Sequence, residues 1–186
     1  MDKNIKMNVA TKRLLLRELA MNDAPRITEL FANPKVISML EQPPWPYQLQ
    51  DAQFWLRGTL QRQKSSAAFS FAIELPNAGL IGSIGIQKKG SDLFDLGYWL
   101  GQPYWGNGYI SEAASAFMTW AQEELGVREL LSGYFADNPA SGRVLAKLGF
   151  VATGKSCIIE NPLRDEPIAC LGMNWKKENA ATLTQS

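Results

Sequence analysis

The sequence predicts an α+β fold: a central mixed, mostly antiparallel sheet of about seven strands with flanking helices. Three observations lead there. The elements run in the order β-α-α-β-β-β-α-β-α-β-β, and three consecutive strands with short links suit antiparallel pairing. A doubly wound nucleotide-binding fold would alternate strand and helix from its start. Its fingerprint also wants a third glycine where this chain has Ser111.

Residues 11–19 (TKRLLLREL) read as the first strand. Asn22-Asp23-Ala24-Pro25 follows as a helix start, with Asp at the cap and Pro early in the first turn. Ile27, Leu30 and Phe31 form a helical stripe that Asn33-Pro34 interrupts, and 36–40 is a short apolar piece. The stretch 42–47 (QPPWPY) is a loop by its prolines. It is either a plain connector or the wall of an acceptor pocket. Residues 50–62 form a second amphipathic helix around Phe54, Trp55 and Leu60. Two strands, 68–75 and 80–87, meet at Pro76-Asn77-Ala78-Gly79, a hairpin signal. After a turn at 88–91 comes a strand ending 96–100, then a helix at 111–125 carrying Ala114, Phe117, Met118 and Ala121 at helical spacing. A strand at 127–135, a helix at 137–148 opened by Asp-Asn-Pro and stopped by Gly149, and strands at 151–159 and 168–175 complete the order. The tail 177–186 is polar, so the expectation is one domain over 1–186 with a folded core of about 9–176.

Composition excludes several functions. The 186 residues suit one domain with a sizeable core. With 46% apolar and 20% charged residues the chain reads as an ordinary globular protein. A net charge of +1 without like-charge blocks gives no footprint for nucleic acid. No apolar run approaches the roughly 20 residues needed to span a bilayer, so no membrane partner is expected. The first residues lack the apolar core of a secretory signal, so a cytoplasmic location is expected. Histidine is absent, which removes Ser-His-Asp and Cys-His nucleophile pairs. Two cysteines, Cys157 and Cys170, are too few for a usual zinc site, and no metal is expected. They are expected as free thiols on adjacent strands, where they could face each other. Any proton transfer then falls to Asp, Glu, Tyr, Ser, Lys or water.

The most chemically suggestive stretch is 96–114 (LGYWLGQPYWGNGYISEAA). A helix that starts behind Gly106 and Gly108 presents bare backbone N–H groups and the positive end of its dipole. Without side chains at those glycines a phosphate approaches the amides closely, which makes a candidate pyrophosphate cradle. A lone GxG also recurs in tight turns that bind nothing, so a second segment has to decide.

That segment is 138–150 (NPASGRVLAKLGF). Together with Gly97-Tyr-Trp-Leu100 and Trp105-Gly-Asn-Gly-Tyr-Ile-Ser-Glu-Ala113, it resembles the GNAT acetyltransferases, and within them the RimJ/RimL-like ribosomal-protein N-acetyltransferase branch. Thr11-Lys-Arg-Leu-x-Leu-Arg17 is similar to that branch's opening strand. The resemblance runs in order over nearly the whole chain. It implies a GNAT fold whose fourth and fifth strands splay to admit acetyl-CoA as co-substrate. By resemblance, Tyr98, Trp99 and Leu100 offer backbone groups to the pantetheine arm much as an added strand would. Trp105, Gly106, Asn107, Gly108, Tyr109 and Ile110 cradle the pyrophosphate, and Asn138 touches the pantetheine, a role compatible with an ordinary helix cap. The chain departs from the family at Trp105, where Gln or Arg is usual, so a charged contact is missing there. Leu145 stands where many relatives carry a tyrosine, which leaves Ser141 as the hydroxyl near the sulfur.

The implied activity is direct acetyl transfer to a primary amine, on a protein N-terminus or a small molecule. It needs a neutral amine, a held oxyanion and a protonated thiolate. An N-terminal amine, with a pKa of about 8, is easier to deprotonate than a lysine at about 10.4. A carboxylate acting through water serves as base in a chain without histidine. Glu160, at the end of the strand after Phe150, is the first candidate, and the resemblance also places a glutamate there. Asp95 is second, sharing a strand face with Gly97 and Trp99. Ser141 is the candidate acid, with Tyr98 and Tyr134 behind it. A non-catalytic CoA-binding sensor of the same fold is the alternative class. A monomer or a homodimer is expected, and the acceptor stays open.

Overall fold

A computed structural model describes residues 5–41, 43–90 and 93–177. Its element order is β1 (Asn8–Ala10), β2 (Leu15–Glu18), α1 (Ala24–Phe31), α2 (Pro34–Ile37), α3 (Leu49–Lys64), β3 (Ala68–Leu75), β4 (Gly79–Lys88), β5 (Leu93–Leu100), α4 (Tyr109–Leu125), β6 (Glu129–Phe135), α5 (Pro139–Lys147), β7 (Val151–Ile159) and β8 (Ile168–Lys176). The eight strands form one sheet in the order β1-β2-β3-β4-β5-β6-β8-β7. Every neighbouring pair is antiparallel except β5 and β6, which run parallel.

The sheet has eight strands where the sequence predicts about seven, because β1 precedes the predicted first strand, 11–19, of which only Leu15–Glu18 is strand. Thr11 closes a tight turn, its amide donating to the Leu14 carbonyl at 2.8 Å. The Leu14 amide returns a bond to the Thr11 hydroxyl at 2.9 Å. A side chain that bonds its own backbone locally competes with a continuing strand, and here it wins. The helical stripe stops before Asn33-Pro34 as predicted, and a second short helix, α2, starts there. Asn33 caps α2 by accepting from the Lys35 amide at 2.9 Å, and Pro34 takes the first position. Residues 42, 91–92 and 178–186, which include the start of the predicted loop, the end of the 88–91 turn and the predicted tail, lie outside the described residues.

Two cores flank the sheet. On one face α4 packs Ala114, Phe117 and Ala121 against Leu16, Phe71, Ile84, Leu130 and Trp175. Phe71 meets Phe117 and Trp120 edge to face, with centroids 5.5 and 4.7 Å away. On the other face α1, α2 and α3 bury Ile27, Phe31, Ile37 and Leu56 against Ala72 and Leu80. Each fully buried side chain of this size contributes about 1.5–3 kcal/mol by burial, so both faces are firmly covered. Arg17 ties α1 to the sheet, donating to both Asp23 oxygens at 2.8 and 2.9 Å and to Glu74. The described part of the predicted loop, 43–47, anchors through Tyr47, whose ring meets Phe31 at 4.8 Å.

The feature that matters for function is where the sheet opens. β5 and β6 are paired only at Leu93–Glu129, Phe94–Leu130 and Asp95–Leu131, although β5 runs on to Leu100 and β6 to Phe135. Past Asp95 the strands part. One side-chain bond spans the start of the split, from Ser132 Oγ to the Leu96 carbonyl at 2.9 Å.

Candidate active site

The split forms the base of a cleft of about 770 Å³ that passes from the α4–α5 face to the α1–α3 face. Strand register decides which backbone groups it exposes. The Gly101 amide donates to Ile81 at 2.9 Å, so on β5 every second residue inward from Gly101 bonds to β4. Trp99 and Gly97 are those residues, and Leu96, Tyr98 and Leu100 turn their backbone toward the split. Ser132 takes the Leu96 carbonyl, and Trp105 Nε1 donates to the Leu100 carbonyl at 2.8 Å. Both Tyr98 backbone groups and the Leu100 N–H therefore face the opening. This corrects the sequence assignment at Trp99, whose backbone belongs to β4. Its side chain lines the cleft from the α1 side and meets Phe31 edge on at 4.4 Å.

The glycine loop follows at the open end of the split. Gly106 and Gly108 have φ of +77° and +75°, a left-handed conformation that side chains with a Cβ resist. Gly108 is the N-cap of α4, so the helix starts two residues before the predicted Ser111. Its first intrahelical bond runs from the Glu112 amide to the Gly108 carbonyl at 3.1 Å. The amides of Tyr109, Ile110 and Ser111 therefore have no helical acceptor, and all three residues line the cleft. Asn107 Nδ2 donates to the Trp105 carbonyl at 3.0 Å and braces the loop.

Helix α5 supplies the other wall. Asn138 caps it, with its Oδ1 accepting from the Ser141 amide at 3.2 Å. Gly142 lets α5 sit directly on Tyr134, since an added Cβ would stand 2.7 Å from that ring. The arrangement delivers Ser141 to Tyr98, oxygen to oxygen at 2.9 Å. The phenol also donates to the Ser141 carbonyl at 3.2 Å. A carbonyl only accepts, so the phenol proton goes to it, and in the bond between the two hydroxyls either oxygen can donate. Burial pushes the Tyr98 phenol up to about 12 against the lowering effect of Ser141, so it stays a neutral donor at any working pH. Sequence reasoning named both hydroxyls but not their pairing, which joins residues 43 positions apart.

On the α1–α3 face the cleft is lined by Asp95, Glu41, Trp55 and Arg62, over a floor where Gly97 stands opposite Gly85. A Cβ added at Gly97 would meet nothing within 4 Å, so this floor is open. Asp95 lies where the split begins, with Lys89 Nζ 3.6 Å from its carboxylate. Glu41 is a cleft carboxylate the sequence did not single out. Cys170 reaches the same arm, directly opposite Cys157 on β7, and both thiols are free. Burial pushes the Cys170 thiol up to about 11, and Cys157, Glu41 and Asp95 act in the same direction.

Glu160 is not brought into this cleft. It is exposed just past the end of β7 and lines a smaller separate depression with Pro43, Asn161 and Arg164. The reason is strand order: β8 lies between β6 and β7, so the end of β7 is two strands away from the split. None of the described residues of the 42–47 loop lines the cleft, which favours its reading as a connector. Among the described residues, no group of three or more His, Cys, Asp or Glu is placed to hold a metal ion, and no helix is long and apolar enough to cross a membrane.

A parted parallel pair followed by a bare helix start is the geometry that the sequence resemblance requires, and comparison with known families agrees. The Acetyltransferase (GNAT) domain family matches residues 13–151. The chain belongs to the GNAT acetyltransferase family. It is 28% identical over 156 residues to the uncharacterized N-acetyltransferase YnaD of Bacillus subtilis (strain 168), covering 82% of this chain and 88% of that protein. It is 24% identical over 180 residues to the [ribosomal protein uS5]-alanine N-acetyltransferase of Escherichia coli (strain K12), covering 89% and 91%. The solved structure of RimL, a ribosomal L7/L12 alpha-N-protein acetyltransferase in complex with coenzyme A, superposes with a TM-score of 0.81 at 18% identity, over 93% of this chain and 99% of that one. This GNAT protein is thus an acyltransferase of RimJ/RimL-like build.

Proposed function

We propose that this GNAT protein transfers an acetyl group from acetyl-CoA directly to a primary amine, on a protein N-terminus or a small molecule. The observation that carries the reading is the continuity of one cleft. It joins the bare amides of Tyr109–Ser111, the Tyr98 backbone and Leu100 N–H that face the split, the Ser141–Tyr98 hydroxyls and an arm holding Asp95 and Glu41.

Acetyl-CoA fits this cleft with its pyrophosphate on the α4 amides, where backbone donors and the helix dipole favour anions. Its pantetheine arm lies along β5 as a partial added strand. That path leads the thioester inward, toward Ser141 on one face and Asp95 on the other. The amine arrives from the α1–α3 face. Asp95 takes its proton through water, the Leu100 N–H supports the oxyanion, and Ser141 donates to the departing thiolate. No covalent enzyme intermediate is required. A CoA-binding sensor would need neither the hydroxyl pair nor the carboxylate arm.

The direct test measures free-thiol release from acetyl-CoA over a panel of amines that includes Ala- and Ser-initiated peptides. Acceptor-dependent thiol release is expected. Binding of acetyl-CoA without release for any amine would leave the sensor class standing.

The hydroxyl pair gives a second expected result. Ser141→Ala should lower kcat by roughly 10- to 100-fold, the worth of one hydrogen bond to a charged group, while acetyl-CoA affinity hardly changes. The bond strengthens as charge develops on sulfur, so it acts on the transition state. Tyr98→Phe should cost less, because the phenol only orients the serine. An unchanged kcat for Ser141→Ala, with chemistry rate-limiting, would reduce Ser141 to a packing residue.

A further inference from the structure

The Thr11-Lys-Arg turn is the part of the sequence pattern to which the cleft assigns no task. It folds over the first turn of α4. Thr11 Oγ1 and the Arg13 amide donate to the same Glu112 oxygen at 2.6 and 2.8 Å, and Arg13 Nε donates to the other at 2.6 Å. Burial opposes ionisation of Glu112, and the Thr11 and Arg13 hydrogen bonds outweigh it, so the carboxyl is held below its ordinary range. With one edge so fixed, the guanidinium lies over the Tyr109 ring, 4.6 Å from its centroid, and Nη1 donates to the Asn107 carbonyl at 3.0 Å.

We propose that Arg13 is a positioning residue for the pyrophosphate cradle: by holding the Asn107 carbonyl it sets the Gly108 N–H toward the cleft. The inference rests on the acetyl-CoA reading above. A peptide group is planar and trans, so the Gly108 N–H points opposite to the Asn107 C=O. Gly106, Gly108 and Tyr109 line the cleft and Arg13 does not, which puts the guanidinium behind the loop. Holding the carbonyl from behind aims the amide forward.

The anchor matters because of what surrounds that peptide. Gly108 has no Cβ to restrict it and populates both signs of φ, and Gly106 on the other side is equally permissive. If the peptide between Asn107 and Gly108 turned over, it would present a carbonyl oxygen to the phosphate in place of an N–H. A donor fixed before the ligand arrives costs no reorganisation on binding. The charge of Arg13 is matched by Glu112 beside it, so its contribution to the cradle is geometric and needs the guanidinium fork.

The test uses the full chain with acetyl-CoA as probe. Arg13→Ala and Arg13→Lys should each raise the calorimetric Kd and the KM for acetyl-CoA about tenfold, the scale of one lost hydrogen-bond donor, and leave kcat at saturation within about twofold. Lysine keeps the charge but cannot bridge Glu112 and the Asn107 carbonyl, so it should not rescue. The Gly108 amide proton, followed by NMR, should move downfield on adding acetyl-CoA to the parent and much less in either variant. Unchanged Kd in both variants, with the parent binding acetyl-CoA, would overturn the role of Arg13 and leave the cofactor reading intact. So would a fall in kcat that matches the rise in KM, since that marks general loosening. A parent that fails to bind acetyl-CoA would overturn the cofactor reading, and this inference with it.

Discussion

Gly108→Val should reduce acetyl-CoA affinity by about a hundredfold or more, the loss expected when two or more backbone donors to a charged group are displaced. Valine at φ +75° is strained by its branched side chain, which costs on the order of 1–3 kcal/mol before any ligand is present. Its Cβ would stand 3.6 Å from Arg13 Nη2, so the two γ-methyls press on the guanidinium that holds the Asn107 carbonyl. Strain and displacement therefore both fall on the peptide whose amide faces the cleft. Gly108→Ala keeps an ordinary contact with Arg13 and bears only the conformational cost, so it should bind at an intermediate level. Asn107→Ala loses the side-chain bond to the Trp105 carbonyl but keeps the backbone carbonyl, and should weaken binding mildly. Calorimetry on protein whose thermal melt confirms folding decides the matter. Equal affinity in Gly108→Val and the parent would sink the cradle.

That experiment probes a part of the molecule that was legible from the chain alone, and the reason is physical. The cradle is local: two glycines and the start of a helix, all between 106 and 109, carry their conformation in their own sequence. The same holds for the β3–β4 hairpin, where Asn77 and Gly79 take the positive φ that their residue types suggest, and for the Asn138 cap. What stayed hidden depends on distant pairing. Leu14, Leu15 and Leu16 give an unbroken apolar run with no alternation, so nothing marked Thr11 as a turn between two strands. Arg13 reaches Asn107 across 94 positions, a contact that exists only once β1 and β2 fold over α4. Alternation correctly put Asp95 with Gly97 and Trp99, but which neighbour Trp99 bonds depends on the β4 register, which no single strand reveals.

The carboxylates show the same division most plainly, and they carry the prediction with the widest range. Glu160 looked well placed while β7 was taken only as the next strand after α5. The insertion of β8 between β6 and β7 moves it out of the cleft and leaves Asp95 at the point where β5 and β6 part. Asp95→Asn preserves shape and hydrogen-bonding reach but cannot take a proton. It should lower kcat/KM by about 10²–10⁴-fold, the usual worth of general-base assistance, with acetyl-CoA affinity unchanged. The loss should be greatest at low pH, where the acceptor arrives as ammonium, and should shrink as pH approaches the amine pKa, about 8 for an N-terminal acceptor. Glu41→Gln, exposed at the rim of the same arm, should cost less. Glu160→Gln should behave nearly like the parent. The series is read with an acceptor identified from the amine panel. A large loss confined to Glu160→Gln would return the base to the end of β7, and would require the acceptor to reach the depression beside Asn161 rather than the floor at Gly97. If all three variants keep their rate, the amine enters already neutral, and the cleft accelerates transfer by holding it against the thioester.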